Sequence, residues 1–196
     1  MTNNQRIAYI ALLSAQAVII GLFERAIPFP FAIAPGAKLG LANIITLMAL
    51  YTLPEIDTLK VVILRLLLST FFGGTISTFM YSAMGAIFSF LSMLAVKKLG
   101  QNHVSLIGVS VTGAIFHNIG QLTVASWIAK TWTVFLYLPI LSFIGILAGV
   151  ATGIMANYLI THVEKLNYYF YLRNVHGNVD GKGERDETSS NMGRLS

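Results

Sequence analysis

The sequence predicts an all-α integral membrane protein, a bundle of six transmembrane helices with both termini in the cytoplasm. Of its 196 residues, 55% are hydrophobic and 11% are charged, whereas a typical soluble domain is about 25% charged. The charges are also segregated. Arg65 is the only charged residue from 61 to 96, and none lies from 131 to 162. Because a membrane-spanning helix needs about 20 apolar residues, these two stretches alone hold roughly three spans.

Six apolar segments follow one another along the chain. The predicted spans are 6–23, 39–53, 58–72, 75–96, 104–129 and 134–161. The first follows Arg6, Pro54 stops the second, and Lys130 follows the fifth. The pair Gly73-Gly74 separates the third from the fourth, because a single helix over 58–96 would reach roughly 58 Å, far more than a bilayer needs.

Two segments fall outside the spans. The loop at 24–38 holds three of the five prolines, which exclude a regular helix, yet it is apolar enough to lie against the protein or the membrane interface. Residues 1–165 are predicted as the transmembrane domain and 166–196 as a polar, disordered cytoplasmic tail. A cleaved signal peptide is the rival interpretation of the first span, but Ala-Ile-Pro at 26–28 is a poor cleavage site.

The basic residues set the predicted orientation. Lysine and arginine concentrate on the cytoplasmic side of a membrane. With six spans, one side carries Arg6, Lys60, Lys97, Lys98, Lys165 and Arg173, and the other carries Arg25, Lys38 and Lys130. Both termini are therefore predicted in the cytoplasm. These residues lie in short loops and the tail without forming a basic face, so the net charge of +5 does not indicate a nucleic-acid partner.

Small residues at helical spacing indicate where helices pack closely in lipid. Gly145, Gly149 and Gly153 recur every fourth residue in the sixth span, which predicts packing inside the bundle. Ala8, Ala11 and Ala15 line one side of the first span. Spacing alone leaves two interpretations of this stripe open: internal packing, or docking to another membrane protein.

Arg65 lies in the middle of the third predicted span. An arginine there costs at least about 2.5–3.5 kcal/mol unless it faces protein or water. No predicted span contains an acid, so an internal salt bridge is not expected. We interpret Arg65 as the counter-charge of an anionic ligand, with a partner inside the bundle or extension to the membrane interface as the alternatives.

Two further groups of polar residues are candidates for substrate contacts. Lys38 and Asn43 stand at the start of the second span, where free backbone N–H groups favour an anion. His117, Asn118 and Gln121 lie near the middle of the fifth span, where buried polar side chains are costly. Hydrogen bonding between helices and interfacial placement of the lysine are the alternative interpretations.

The sequence lacks the signatures of several enzyme classes. It has no Asp-Asp-x-x-Asp motif for magnesium and diphosphate and no Gly-x-x-x-x-Gly-Lys-Ser/Thr nucleotide loop. The predicted spans contain no acid for a Ser/His/Asp triad. With no cysteine and scattered histidines, no metal or other cofactor is expected. Any transport would therefore depend on an external motor or gradient.

Three stretches carry a family resemblance: Lys-Leu-Gly-Leu-Ala-Asn within 35–51, Arg65, and His-Asn-Ile-Gly-Gln within 113–121. Over residues 6–162 they resemble the Gx transporter family, also labelled heptaprenyl diphosphate synthase component I. That family looks like the substrate-binding S components of energy-coupling factor vitamin transporters. The resemblance implies six helices, an outward-facing pocket under the first loop, and a first helix that docks on a transmembrane coupling subunit driven by two ATPases.

The predicted function is that of a non-enzymatic, substrate-binding subunit of an ATP-driven small-molecule importer in the bacterial plasma membrane. Lys38 and Arg65 would hold an anionic part of an amphipathic substrate, and Asn43, His117, Asn118 and Gln121 would supply hydrogen bonds. Ala8, Ala11 and Ala15 match the docking pattern. The alternative is a membrane subunit of a prenyl diphosphate synthase or quinone-synthesis system.

Overall fold

The computed structural model describes residues 3–26, 40–100 and 104–162, and every regular element within these ranges is helical. The helices are α1 (Asn3–Ala26), α2 (Asn43–Thr52), α3 (Glu55–Phe71), α4 (Ile76–Lys98) and α5 (Leu106–Ala129), and a 3-10 segment, Trp132–Tyr137, leads into α6 at 138–162. The predicted all-helical fold with six helices is confirmed. The predicted tail at 166–196 lies outside the described residues.

Three of these segments are long and apolar enough to cross a membrane: Asn3–Glu24, Ile76–Lys98 and Trp132–His162. They support the assignment as a membrane protein. The ten residues of α2 would extend only about 15 Å, half the thickness of a hydrocarbon core. The helix α5, which carries His117, Asn118 and Gln121, is not among these three segments. That all six helices cross the membrane remains a prediction.

Local sequence accounts for most helix boundaries. The predicted break between the third and fourth helices is present, with Gly73 at a φ of +122°. Thr75 then caps α4 through a reciprocal pair of hydrogen bonds with Thr78. Ser105 accepts from the backbone of Gly108 to start α5. The second helix begins later than predicted, because Gly40, at a φ of +84°, forms a turn before it.

Charged residues tie the helices together at one end of the bundle. Asp57, at the start of α3, is fully buried and accepts hydrogen bonds from Arg6 of α1 and from Lys60, 2.9 Å away. Lys97, at the end of α4, donates to the carbonyl oxygen of Leu50 in α2. The start of α1, the end of α2, the start of α3 and the end of α4 therefore meet at this end.

Replacing Asp57 with asparagine is expected to lower the midpoint of thermal unfolding in detergent, because Arg6 and Lys60 lose their shared carboxylate. Glu55→Gln is the matched control. Its pair with Lys98 is 3.6 Å long and exposed on both sides, so we expect a much smaller shift. Equal shifts for the two variants would contradict a structural role for the buried carboxylate.

Glycines bring α4, α5 and α6 into close contact. A Cβ on Gly120 would lie 2.5 Å from the backbone oxygen of Met84 in α4. Gly145, Gly149 and Gly153 of α6 all face α5, where added Cβ atoms would lie 2.6, 2.7 and 2.9 Å from their nearest neighbours. The glycine stripe of α6 thus packs inside the bundle, and the hydroxyls of Ser110 and Thr152 join the same two helices at 2.8 Å.

Candidate functional site

A small polar cavity lies between the helices at the end of the bundle opposite to Asp57. Its described lining residues are Gly21, Glu24, Gly40, Ala42, Arg65, Leu66, Ser69, Ser82 and His117. They come from α1, the turn before α2, and from α3, α4 and α5. The cavity volume is about 30 Å³, which is room for about two water molecules. A substrate larger than this requires the helices or loops around the cavity to move.

Arg65 enters this cavity from α3 and is 7% exposed. Its Nη2 atom donates to Asn43 Oδ1 at 3.2 Å, so the structure brings together two of the predicted site residues. Within the described ranges, Arg65 Nε and Asn43 Nδ2 are both buried and have no hydrogen-bond partner. Buried donors are normally satisfied, so these two remain available to a ligand or to water.

Glu24 is a cavity residue that was not predicted from the sequence. The expectation that no acid lies within a span is wrong, because α1 continues past residue 23 to Ala26 and buries the Glu24 side chain to 7% exposure. Glu24 Oε1 accepts from the backbone N–H of Gly40 at 2.5 Å, and its carboxylate acts electrostatically on Arg65. The guanidinium therefore has a counter-charge within the bundle.

His117 lies between two glycines that leave room for its ring. A Cβ on Gly85 would come within 2.7 Å of the ring, and one on Gly40 within 3.1 Å. The Nε2 atom of His117 and the side-chain nitrogen of Gln121 lie 2.8 Å apart. The imidazole is thus held in place by α4 and by the turn before α2. Gln121 lies against the His117 ring and is not among the cavity's described lining residues.

The other predicted site residues lie elsewhere. Asn118 Nδ2 donates to the carbonyl oxygen of Leu141 in α6 at 2.7 Å, so Asn118 joins α5 to α6 and is not among the cavity's described lining residues. Lys38 lies outside the described residues. Across 3–26, 40–100 and 104–162, no group of three or more metal-binding side chains was found.

The alanine stripe of α1 faces away from the bundle. Ala8, Ala11 and Ala15 are all exposed, and so is Gln16 beside them. The opposite side of α1 packs into the core through Leu13, Ser14, Ala17 and Val18. The glycines of α6 pack against α5, whereas these alanines are exposed on the surface of the bundle. Gln16 adds a side-chain amide to an otherwise apolar helix.

The sequence was also compared with known proteins. The sequence model of a family described as heptaprenyl diphosphate synthase component I matches residues 13–159, well over half of the chain. The chain belongs to this family. This match confirms the family resemblance drawn from the motifs around Asn43, Arg65 and His117. The matched range contains all of the cavity's described lining residues. No curated protein and no solved structure matches the sequence.

Proposed function

We propose that this component I family member is the substrate-binding membrane subunit of an ATP-driven small-molecule importer, similar to an S component. The observation that carries the proposal is the polar cavity around Arg65. Within the described residues, Arg65 Nε, Asn43 Nδ2 and Ser82 Oγ are buried without hydrogen-bond partners. Leaving such groups unpaired costs about 1–3 kcal/mol each, and a bound substrate offsets that cost.

The exposed face of α1 supports a second part of the proposal, docking to a transmembrane coupling subunit. Small residues such as Ala8, Ala11 and Ala15 let two helices approach closely in lipid, and a side-chain amide such as that of Gln16 forms hydrogen bonds across a helix pair. Facing hydrocarbon, the same amide would be costly. Because this sequence has no nucleotide-binding loop, two ATPases bound to the coupling subunit supply the energy.

The arrangement of charges supports an orientation in the bacterial plasma membrane. Arg6, Lys60, Lys97 and Lys98 interact with partners at the Asp57 end of the bundle, which we place on the cytoplasmic side. Both termini then lie in the cytoplasm. The cavity at the opposite end faces outward, where it receives substrate from outside the cell.

Purification from the native membrane tests the importer. We expect a coupling subunit and a pair of ATPases to co-purify with the wild-type chain. Ala11→Leu should reduce their recovery at least about tenfold, because a large side chain separates the two helices. Ala151→Leu, at an exposed position of α6, is the matched control and should retain the partners. Recovery of no ATPase with the wild type, or equal recovery with both variants, would reject this docking face.

The family description favours one second candidate, a membrane component of a prenyl diphosphate synthase. In that case the chain would hold a soluble prenyltransferase at the membrane, since its own sequence lacks the Asp-Asp-x-x-Asp motif. The same purification separates the two candidates. Recovery of a prenyltransferase in place of ATPases would support the synthase component and reject the importer.

A further inference from the structure

A second and larger cavity lies on the surface where α5 ends and the 3-10 segment begins. Its volume is about 660 Å³, against about 30 Å³ for the polar cavity around Arg65. The described residues that line this Lys130 groove are Thr123, Ser126, Trp127, Ile128, Lys130, Thr131 and Trp132. They include both tryptophans of the chain, one lysine and no acid. The described lining therefore carries a single formal positive charge.

Hydrogen bonds around Ser126 fix the turn that carries Lys130. The carbonyl oxygen of Ser126 accepts from the backbone N–H of Lys130 and from that of Thr131 at 3.2 Å. The hydroxyl of Ser126 in turn donates to the carbonyl oxygen of Thr131 at 2.9 Å. Just beyond the turn, the Trp132 ring stacks on Phe135 with the centroids 5.7 Å apart. The cation and the indole beside it are thus presented on a well-tied backbone.

The Lys130 groove has the character of a membrane interface. One of the three segments long enough to cross a membrane, Trp132–His162, begins at the groove. Trp127 and Trp132 are 71% and 79% exposed, and exposed tryptophan beside lysine is typical of the boundary between hydrocarbon and lipid headgroups. Residues 123–130 carry the groove along α5 for roughly 10 Å. The groove therefore leads from the cation toward the middle of the bundle.

We propose that the Lys130 groove binds one anionic phospholipid, with the phosphate against Lys130 and the start of an acyl chain beside Trp127 and Ile128. Among the described residues, no carboxylate pairs with the Lys130 ammonium group, so its charge is available to a phosphate. A zwitterionic lipid would bring a second cation, which Lys130 repels. A soluble anion would leave the exposed side chains of Trp127 and Ile128 uncovered.

This lipid site is separate from the proposed substrate site. The Lys130 groove shares no described lining residue with the polar cavity around Arg65. Failure of the importer proposal would leave the lipid site standing, and failure of the lipid site would leave the importer standing.

The two tryptophans report on the groove, because Trp127 and Trp132 are the only ones in the chain and both line it. We would measure quenching of their fluorescence by brominated phosphatidylglycerol and by brominated phosphatidylcholine, with the purified full-length chain in lipid nanodiscs. The comparison gives the relative affinity for an anionic and a zwitterionic lipid. The wild type is expected to prefer phosphatidylglycerol about fivefold, and high salt should reduce this preference.

Lys130→Gln should remove the preference, whereas Lys130→Arg, which keeps the charge at the same left-handed backbone position, should retain it. Lys98→Gln is the matched control, because Lys98 is also an exposed lysine but lies at the Asp57 end of the bundle. Equal quenching by the two lipids in the wild type, or an unchanged preference in Lys130→Gln, would overturn the proposal. Loss of the preference when glycerol phosphate is added in an amount equal to the lipid would also overturn it, since the occupant would then be a soluble anion.

Discussion

Replacing Arg65 with alanine is expected to abolish substrate uptake and to destabilise the bundle. Uptake is lost because the cavity loses its cation and the donor to Asn43. Stability falls because the buried amide of Asn43 loses the hydrogen bond from Arg65, and leaving such a group unpaired costs about 1–3 kcal/mol. Transport of labelled substrate and thermal unfolding of the purified chain measure the two effects separately.

The double variant Glu24→Gln with Arg65→Gln distinguishes these effects. Glu24 acts electrostatically on Arg65, so we expect the double variant to lose less stability than the sum of the losses in Glu24→Gln and Arg65→Gln. Uptake should stay abolished, since a neutral amide does not replace the guanidinium. If the losses in Glu24→Gln and Arg65→Gln simply added up in the double variant, Glu24 and Arg65 would not be coupled. If Arg65→Ala transported normally, Arg65 would not be part of the substrate site.

The number of helices and the polar surroundings of Arg65 could be predicted from the sequence. Glycine pairs and prolines interrupt helices through local backbone geometry, so the break at Gly73-Gly74 was readable without tertiary information. A mid-span arginine must also find polar surroundings, and Arg65 does so. The hydrogen bond between Arg65 and Asn43 joins residues 22 positions apart. Both residues were predicted to contact a substrate, but their contact with each other was not predicted.

Glu24 was missed because helix ends are not fixed by hydropathy. The pair Glu24-Arg25 ends the apolar run, so it resembled the polar edge of a span, yet backbone hydrogen bonds carry α1 on to Ala26. Whether such an acid is buried depends on what stands opposite, here Arg65 and the N–H of Gly40. A signal was nonetheless present, since Glu24 directly follows the predicted span 6–23 and a helix only one residue longer includes it.

The positions of Gly40, Gly85 and Asn118 depended on packing between distant segments. Nothing local in the sequence shows that the first two glycines lie against the His117 ring. His117 and Asn118 are adjacent in the chain, but successive residues of a helix point about 100° apart. The first therefore faces the cavity and the second faces α6. Grouping neighbouring polar residues into one site overlooks this rotation.

Gly120→Ala is expected to lower the stability of the fold by disturbing the packing of α4 against α5. The added Cβ would lie 2.5 Å from the backbone oxygen of Met84 and 2.8 Å from its carbonyl carbon. Backbone atoms of a packed helix cannot rotate away as a side chain can, so α4 and α5 must separate. Overpacking of this kind costs about 1–3 kcal/mol, partly offset by up to about 1 kcal/mol from the higher helix propensity of alanine.

Gly21→Ala is the matched control for Gly120→Ala, because the nearest atom to its added Cβ is the hydroxyl oxygen of Ser69 at 3.8 Å. It gains the same helix propensity without a clash, so its unfolding midpoint should stay level or rise while that of Gly120→Ala falls. The contrast isolates packing from propensity, since both changes replace a helical glycine by alanine. Equal midpoints would mean that α4 and α5 are not in backbone contact at Gly120, and the geometry that places His117 beside Gly85 would then be wrong as well.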